Sequence, residues 1–300
     1  SIDSFGREGS DTSYGASISG DGRFVTFGSF AENLVPDDTN GKRDVFVHDR
    51  ETGQTLRLSV AADGTEANDG SHGSPVISVD GRFIAFHSYA TNLLGDAPQG
   101  GGDIYVVERE TGSIECVSMP PGGGSTTHST AAPVLSHDGR FVAFRSTNPD
   151  LVPGGIQERN NIYVVNRDTD TVERVNIARD GTPAAVTWWG KLAISGDGRY
   201  IAYSSSDDNI VAGDTNNTTD VFVFDRDTDT TERVSIATDG SESLLYCMDP
   251  DISADGRYVA FESRGSALVP GDTNLSFDVF VHDRQAGTTE RVSVATSGVE

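Results

Sequence analysis

The chain has little of what would staple or anchor it. Two cysteines in 300 residues, Cys116 and Cys247, rule out a disulfide scaffold. No apolar stretch approaches the ~18 residues a membrane-crossing helix needs. Ser1 opens directly into polar sequence, as a mature or trimmed chain would, so no signal peptide is expected. Lysine is almost missing: Lys42 and Lys191 are the only two among 22 basic residues, against 46 acidic ones. The resulting net charge of −24 excludes the nucleic-acid backbone and an anionic membrane surface as partners. It leaves basic partners or cations. No segment keeps a 3.6-residue apolar period, so helices are not expected.

What is there is a repeat. Asp-Gly-Arg followed by Phe or Tyr occurs at Asp21, Asp80, Asp138, Asp197 and Asp255, at intervals of 59, 58, 59 and 58 residues. A fixed period of this size signals stacked or radial copies of one supersecondary unit. Within each copy four short segments rich in β-formers are separated by Gly, Asp and Asn turns. Call them A to D. B and C are nearly continuous apolar runs, as in Phe83–Phe86 and Val221–Phe224, which implies that both faces are covered. D alternates and is more polar, as an outer-edge strand should be. The expectation is an all-β chain: a five-bladed β-propeller of four-stranded antiparallel blades. The blades fall roughly at 15–62, 73–119, 131–178, 190–237 and 249–296 of one domain, 1–300, with 1–14 closing the ring. The first ten residues match Ser59–Asn68, and Ser293–Glu300 fills the same place in the repeat. A monomer whose ends meet is expected; the rival is five repeats of a longer array.

The phrase Ser-x-Asp-Gly-Arg-[Phe/Tyr]-[Val/Ile]-Ala-Phe, followed by Asp-[Val/Ile]-[Phe/Tyr]-Val-x-Asp-Arg, resembles the WD40-like PD40 repeat of TolB-type propellers, and it covers essentially the whole chain. The resemblance implies the propeller fold and an exported protein, secreted or periplasmic. TolB's protein-interaction role belongs to a protein with an added N-terminal α/β domain, which has no counterpart in this sequence. Related propellers gate prolyl-oligopeptidase-type proteases, but no Gly-x-Ser-x-Gly elbow occurs here. Arginine in preference to lysine hints at a GC-rich bacterial genome.

Function should sit where the copies disagree. The A–B and C–D turns are uniform scaffold; the B–C and D–A loops vary and share the other face, near the expected central channel. The position after strand B's last aromatic holds Gly28, His87, Arg145, Ser204 and Glu262, between a constant aromatic and a constant serine. The D–A loops end in Tyr14, His72, His128, Trp188-Trp189 and Tyr246-Cys247-Met248. Asp251 replaces Ser17, Val76, Val134 and Ala193 in strand A. These give the candidate ligand-binding set: Tyr14, His72, His87, His128, Arg145, Trp188, Trp189, Tyr246, Asp251 and Glu262. Aromatic faces among them suit sugars or another protein's surface. His48, His137 and His282 are read as structural. Cys247 is placed in a loop and is the cysteine to consider as a reactive thiol.

Asp-x-Asn-x-x-x-Asp recurs at Asp38, Asp214 and Asp272. Such oxygens can ligate calcium, and they can equally cap turns; turn capping is the first reading. No cofactor is required by the pattern. The leading functional class is a non-catalytic binding module for a protein, peptide or carbohydrate. The second is a glycoside hydrolase-like enzyme with Asp251 and Glu262 as its acid pair, positioned by His87 and Arg145. The third is a structural fragment of a larger repeat protein.

Overall fold

The computed structural model describes residues 1–95, 102–120, 128–154, 160–187 and 190–295. Five four-stranded sheets account for the chain, each strand hydrogen-bonded to the next along the sequence. The first holds β1 (Ser13–Ile18), β2 (Phe24–Ser29), β3 (Asp44–Asp49) and β4 (Thr55–Arg57). The second holds β5 (Ser71–Ile77), β6 (Phe83–Ser88), β7 (Asp103–Glu108) and β8 (Ile114–Cys116). The third holds β9 (Thr130–Leu135), β10 (Phe141–Ser146), β11 (Asn161–Asn166) and β12 (Thr171–Arg174). The fourth holds β13 (Ala193–Ile194), β14 (Tyr200–Ser205), β15 (Asp220–Asp225) and β16 (Thr230–Arg233). The fifth holds β17 (Cys247–Ile252), β18 (Tyr258–Ser263), β19 (Asp278–Asp283) and β20 (Thr288–Arg291). The described helical content is a single 3₁₀ turn at Pro149–Leu151. These are the blades of an all-β propeller, as the repeat predicts.

The chain divides into two compact units, Ser1–Glu158 with Val164–Glu173, and Arg159–Tyr163 with Arg174–Glu300. The core of the first unit lies between sheets one and two, where Phe24, Val45, Val47 and Leu58 meet Ile77, Ile84, Phe86, Tyr105 and Val107. The core of the second unit repeats this between sheets four and five, with Ala202, Val221, Val223 and Val234 against Cys247, Ile252, Val259, Phe261 and Phe280. Apolar residues therefore face both ways from a central strand, which is why B and C show no alternation. A cross-strand aromatic pair sits in each of four blades: Phe27–Phe46, Phe86–Tyr105, Tyr203–Phe222 and Phe261–Phe280, with centroids 5.8–5.9 Å apart.

The Asp-Gly-Arg phrase is explained atom by atom. In blade one the Ser19 hydroxyl donates to Asp21 Oδ1 (2.6 Å) and accepts from the Phe24 amide. Asp21 also accepts from the Arg23 amide (2.9 Å). The Arg23 guanidinium then forks onto Asp49 at the end of strand C (3.0 and 2.8 Å), a geometry repeated by Arg199–Asp225 and Arg257–Asp283. The glycine has a second duty besides its positive φ. A Cβ on Gly81 would meet the Phe24 ring at 2.7 Å, and one on Gly139 the Phe83 ring at 2.5 Å. Each turn thus lies flat on the aromatic of the preceding blade. The arginine that ends strand C completes the joint. Arg109 stacks over Phe24 (3.8 Å), Arg167 over Phe83 (4.1 Å) and Arg284 over Tyr200 (4.1 Å).

Strand A departs from expectation. The sequence shows only its last few residues as strand, yet β17 begins at Cys247 and β5 at Ser71. The cause is a bulge: pairing with strand B slips between Tyr14 and Ser17, between His72 and Val76, and between Met248 and Asp251. Gly15, Gly73 and Asp249 take positive φ inside these intervals. A bulge breaks the two-residue period, so the strand loses its sequence signature.

Candidate functional site

The bulged start of strand A and the end of strand B lie together at the end of each blade that carries the B–C and D–A loops. Tyr14 faces Gly28, His72 faces His87, Ala131 faces Arg145, and Met248 faces Glu262. Tyr14 and His72 are therefore strand residues, not loop tips. The variable position itself is interior: His87 is 6% exposed, Arg145 5% and Ser204 2%, while Glu262 is half-buried. Three of these side chains are buried and fill space defined by their neighbours, so the position is not a solvated one.

In blade one the neighbour is Arg43. Its guanidinium lies where a Cβ on Gly28 would be, 2.7 Å from Nε, and stacks 4.1 Å from the centroid of Tyr14. Arg43 Nη2 donates to the Gly73 carbonyl. In blade two the filler is an aromatic nest. His72 and His87 meet the Tyr89 ring edge-on at 5.2 and 4.7 Å. Gly102 closes over His87 Nε2 so tightly that a Cβ would run into it. His87 Nε2 is buried with no hydrogen-bond partner among the described residues. Burial, helped by the neighbouring His72, pushes its pKa down to about 4, so the ring is neutral at physiological pH. Ser204 Oγ in blade four is likewise buried without a partner among the described residues.

His128 lies just ahead of β9 and is half-buried. Trp188 and Trp189 fall outside the described residues. Asp251 is exposed, stands opposite Ala260, and its Oδ1 accepts from the Ile252 amide (2.9 Å). Ala260 and Glu262 share a strand face, so the two acids rise from the same side of the fifth sheet. Cys247 does not sit in a loop: it opens β17, fully buried, with Sγ near Ser263 Oγ (3.3 Å), and burial pushes its thiol up to about 12. Cys116 is pushed to about 12 by the same cause. Neither is a ready thiolate.

The Asp-x-Asn-x-x-x-Asp loops converge on a guanidinium. Arg57 Nη1 lies 3.0 Å from Asp38, 3.8 Å from Asp44 and 2.7 Å from Glu66. Arg233 repeats this with Asp214 (2.9 Å), Asp220 (3.6 Å) and Glu242 (2.6 Å), and Arg291 with Asp272 and Asp278. Asn40 donates to Asp44 Oδ2 and to the Ala67 carbonyl, and its Oδ1 accepts from the Lys42 amide. The arrangement is turn capping around an arginine. Burial, with Asp44 adding repulsion, raises Asp38 to about 6, and the same causes raise Asp214 to about 6. Hydrogen bonds from Thr39 lead the causes that hold Glu66 down at about 2.

Of one surface, sequence reasoning named Tyr246 alone. Leu244, Leu245, Tyr246, Leu275 and Phe277 are 38–75% exposed together at the loop-bearing end of the second unit. Tyr246 and Phe277 pair at 6.5 Å, and Arg264 lies over Phe277 (5.5 Å). Leu244-Leu245-Tyr246 occupy the place of Asn68-Asp69-Gly70 in the second copy. Three apolar residues in a polar loop are the signal that could have found the patch.

No protein-family model matches the chain, and neither does any curated protein. Solved structures do. The TolB of Acinetobacter baumannii superposes with a TM-score of 0.52 at 18% identity, over 93% of this chain and 53% of that one. A TolB of Agrobacterium tumefaciens described as putative gives 0.54 at 16%, over 94% of this chain and 80% of that one. A puromycin-hydrolyzing peptidase of Mycobacterium tuberculosis gives 0.59 at 18%, over 94% of this chain and 38% of that one. The chain is a five-bladed β-propeller, and its fold is TolB-like. It spans about half the length of the A. baumannii protein. The same fold serves a peptidase, so the fold alone does not choose an activity.

Proposed function

We propose that the chain is a non-catalytic binding module that takes a protein, peptide or carbohydrate at the loop-bearing end of its blades. The observation that carries this reading is the exposed apolar patch of Leu244, Tyr246, Leu275 and Phe277. Clustered exposed apolar side chains on an otherwise acidic surface are costly unless something covers them. Paired aromatics with an arginine beside them are the usual anchors of such contacts. Within the first unit, the nests around His87 and around Arg43 and Tyr14 give two blades different chemistry at the equivalent end. His128, Arg145, Trp188 and Trp189 belong to the same reading. A secreted or periplasmic location is part of the same reading, and the TolB-like fold supports it.

The test is binding to peptide and glycan arrays by wild type, Tyr246→Ala and Phe277→Ala. Each substitution is expected to weaken capture at least ~10-fold, about 1.4 kcal/mol. Equal capture by all three proteins sinks the proposal. A second reading rests on Asp251 and Glu262 rising from one sheet face: hydrolysis of a glycoside that both Asp251→Asn and Glu262→Gln abolish would establish it.

A further inference from the structure

An aspartate followed by glycine carries a latent reaction. The glycine amide nitrogen can attack the aspartate Cγ and close a cyclic imide, because no side chain shields that nitrogen. The chain has nine such pairs. Five are the A–B turns, three stand in the loops after β4, β12 and β16 at Asp63, Asp180 and Asp239, and the ninth is Asp69-Gly70. The first eight are built alike. Each carboxylate accepts from the amide of the second residue on, at 2.9–3.0 Å, as Asp21 does from Arg23 and Asp63 from Thr65. Each of those glycines takes a positive φ. A carboxylate held in this way on a more distant amide is not free to turn onto the next one.

Asp69 is built differently. Its Oδ1 accepts from the amide of Gly70 itself (2.8 Å), and Gly70 is not among the glycines of positive φ. The same oxygen lies 3.3 Å from Lys42 Nζ, and the Asp69 side chain is 54% exposed. Nucleophile and carboxyl are thus already in contact. The χ2 torsion of an aspartate is soft, so a modest turn brings the carbonyl face onto the nitrogen. Two other aspartates share the contact, Asp11 with the Thr12 amide (2.6 Å) and Asp251 with the Ile252 amide (2.9 Å). In both, the residue that follows is β-branched and crowds its own amide. Of the nine Asp-Gly pairs, Asp69-Gly70 alone makes the contact. The chain's one Asn-Gly pair, Asn40-Gly41, is held at both ends of its side-chain amide: Nδ2 by Asp44 and the Ala67 carbonyl, Oδ1 by the Lys42 amide.

We propose that Asp69 is a site of spontaneous covalent modification, converted in the native protein to isoaspartate through a cyclic imide with Gly70. The Gly70 nitrogen bonds to Asp69 Cγ and gives up its proton. The C–OH bond of the protonated carboxyl breaks, and water leaves. A second water then opens the ring at the main-chain carbonyl. The chain now runs through Cβ and Cγ, the former main-chain carbonyl is a free carboxylate, and the overall composition is unchanged. The backbone gains one carbon directly ahead of Gly70. The Gly70 carbonyl accepts from the Tyr89 amide (3.1 Å), and a Cβ on Gly70 would lie 3.0 Å from His72 Nε2. The change therefore enters the nest of His72, His87 and Tyr89 and alters the loop-bearing end of blade two. It requires no ligand and stands apart from the binding reading.

The test is to keep the whole native chain warm, below its melting transition, in mildly acidic buffer for several weeks. It is then digested, and electron-transfer fragmentation separates isoaspartate from aspartate at all nine pairs. Isoaspartate is expected to form at Asp69 at least ~10-fold faster than at each of the other eight. A parallel sample in urea has lost the folded contacts, so there the nine pairs are expected to convert at similar rates. Asn40 is expected to stay an amide in the native sample and to deamidate in urea. Native conversion at Asp69 that is no faster than at the other eight pairs overturns the proposal. A lead at Asp69 that persists undiminished in urea also overturns it, because local sequence and not the folded contact would then be the cause.

Discussion

Arg57, Arg233 and Arg291 show how one residue type organises a blade. Each lies 8% exposed among carboxylates that would otherwise repel one another. Replacing Arg57 by Leu leaves Asp38, Asp44 and Glu66 without their cation, and a loss of about 3–5 kcal/mol is expected in urea denaturation. Because the guanidinium occupies the centre of the cluster, calcium is expected to leave the melting temperature of the wild type where EDTA leaves it. Asp38 predicts a pH dependence of definite sign. Its folded pKa, about 6, lies above its ordinary value, so the stabilisation from holding a proton is full below pH ~4 and is lost as pH rises through about 6. Asp38→Asn should therefore flatten the fall in melting temperature between pH 4 and 6. Glu66, held at about 2, acts oppositely and gives up stability only as pH falls below its ordinary range. That an arginine recurs at this place of the repeat, at Arg57, Arg174, Arg233 and Arg291, is legible in the sequence; which carboxylates it meets is not, because Asp38 and Glu66 are brought together across two loops.

At the scale of the element, the A–B turn was legible in its place and its uniformity. What could not be read was that its glycine also lies on the aromatic ring of the preceding blade. Gly256 has φ +71° and a Cβ would drive into Tyr200. Gly256→Ala is expected to cost about 1–3 kcal/mol by chemical denaturation, more than the same change at Gly287, which has positive φ but open space around it. Strand A was the element misread. Its bulge hides the two-residue period, so Tyr14 and His72 pass for loop residues and Cys247 for an exposed thiol. Buried at the start of β17, Cys247 should resist alkylation in the native protein at pH 8 and react on unfolding, a difference that mass spectrometry resolves.

For the whole molecule, a net charge of −24 sets a background of self-repulsion. Adding salt from low ionic strength to about 0.5 M should raise the melting temperature, since it screens repulsion among exposed acids more than it weakens forked pairs such as Arg23–Asp49. The sequence by itself determined the number of blades, their four strands and the scaffold turns. Those are properties of a repeated local pattern, and five copies average away the noise of any one. The tertiary structure alone decided that the variable strand B position is interior, that an arginine fills the acidic loops, and that Leu244, Tyr246 and Phe277 form one surface. These depend on which segments distant in the chain come to lie side by side. No single copy of the repeat carries that information.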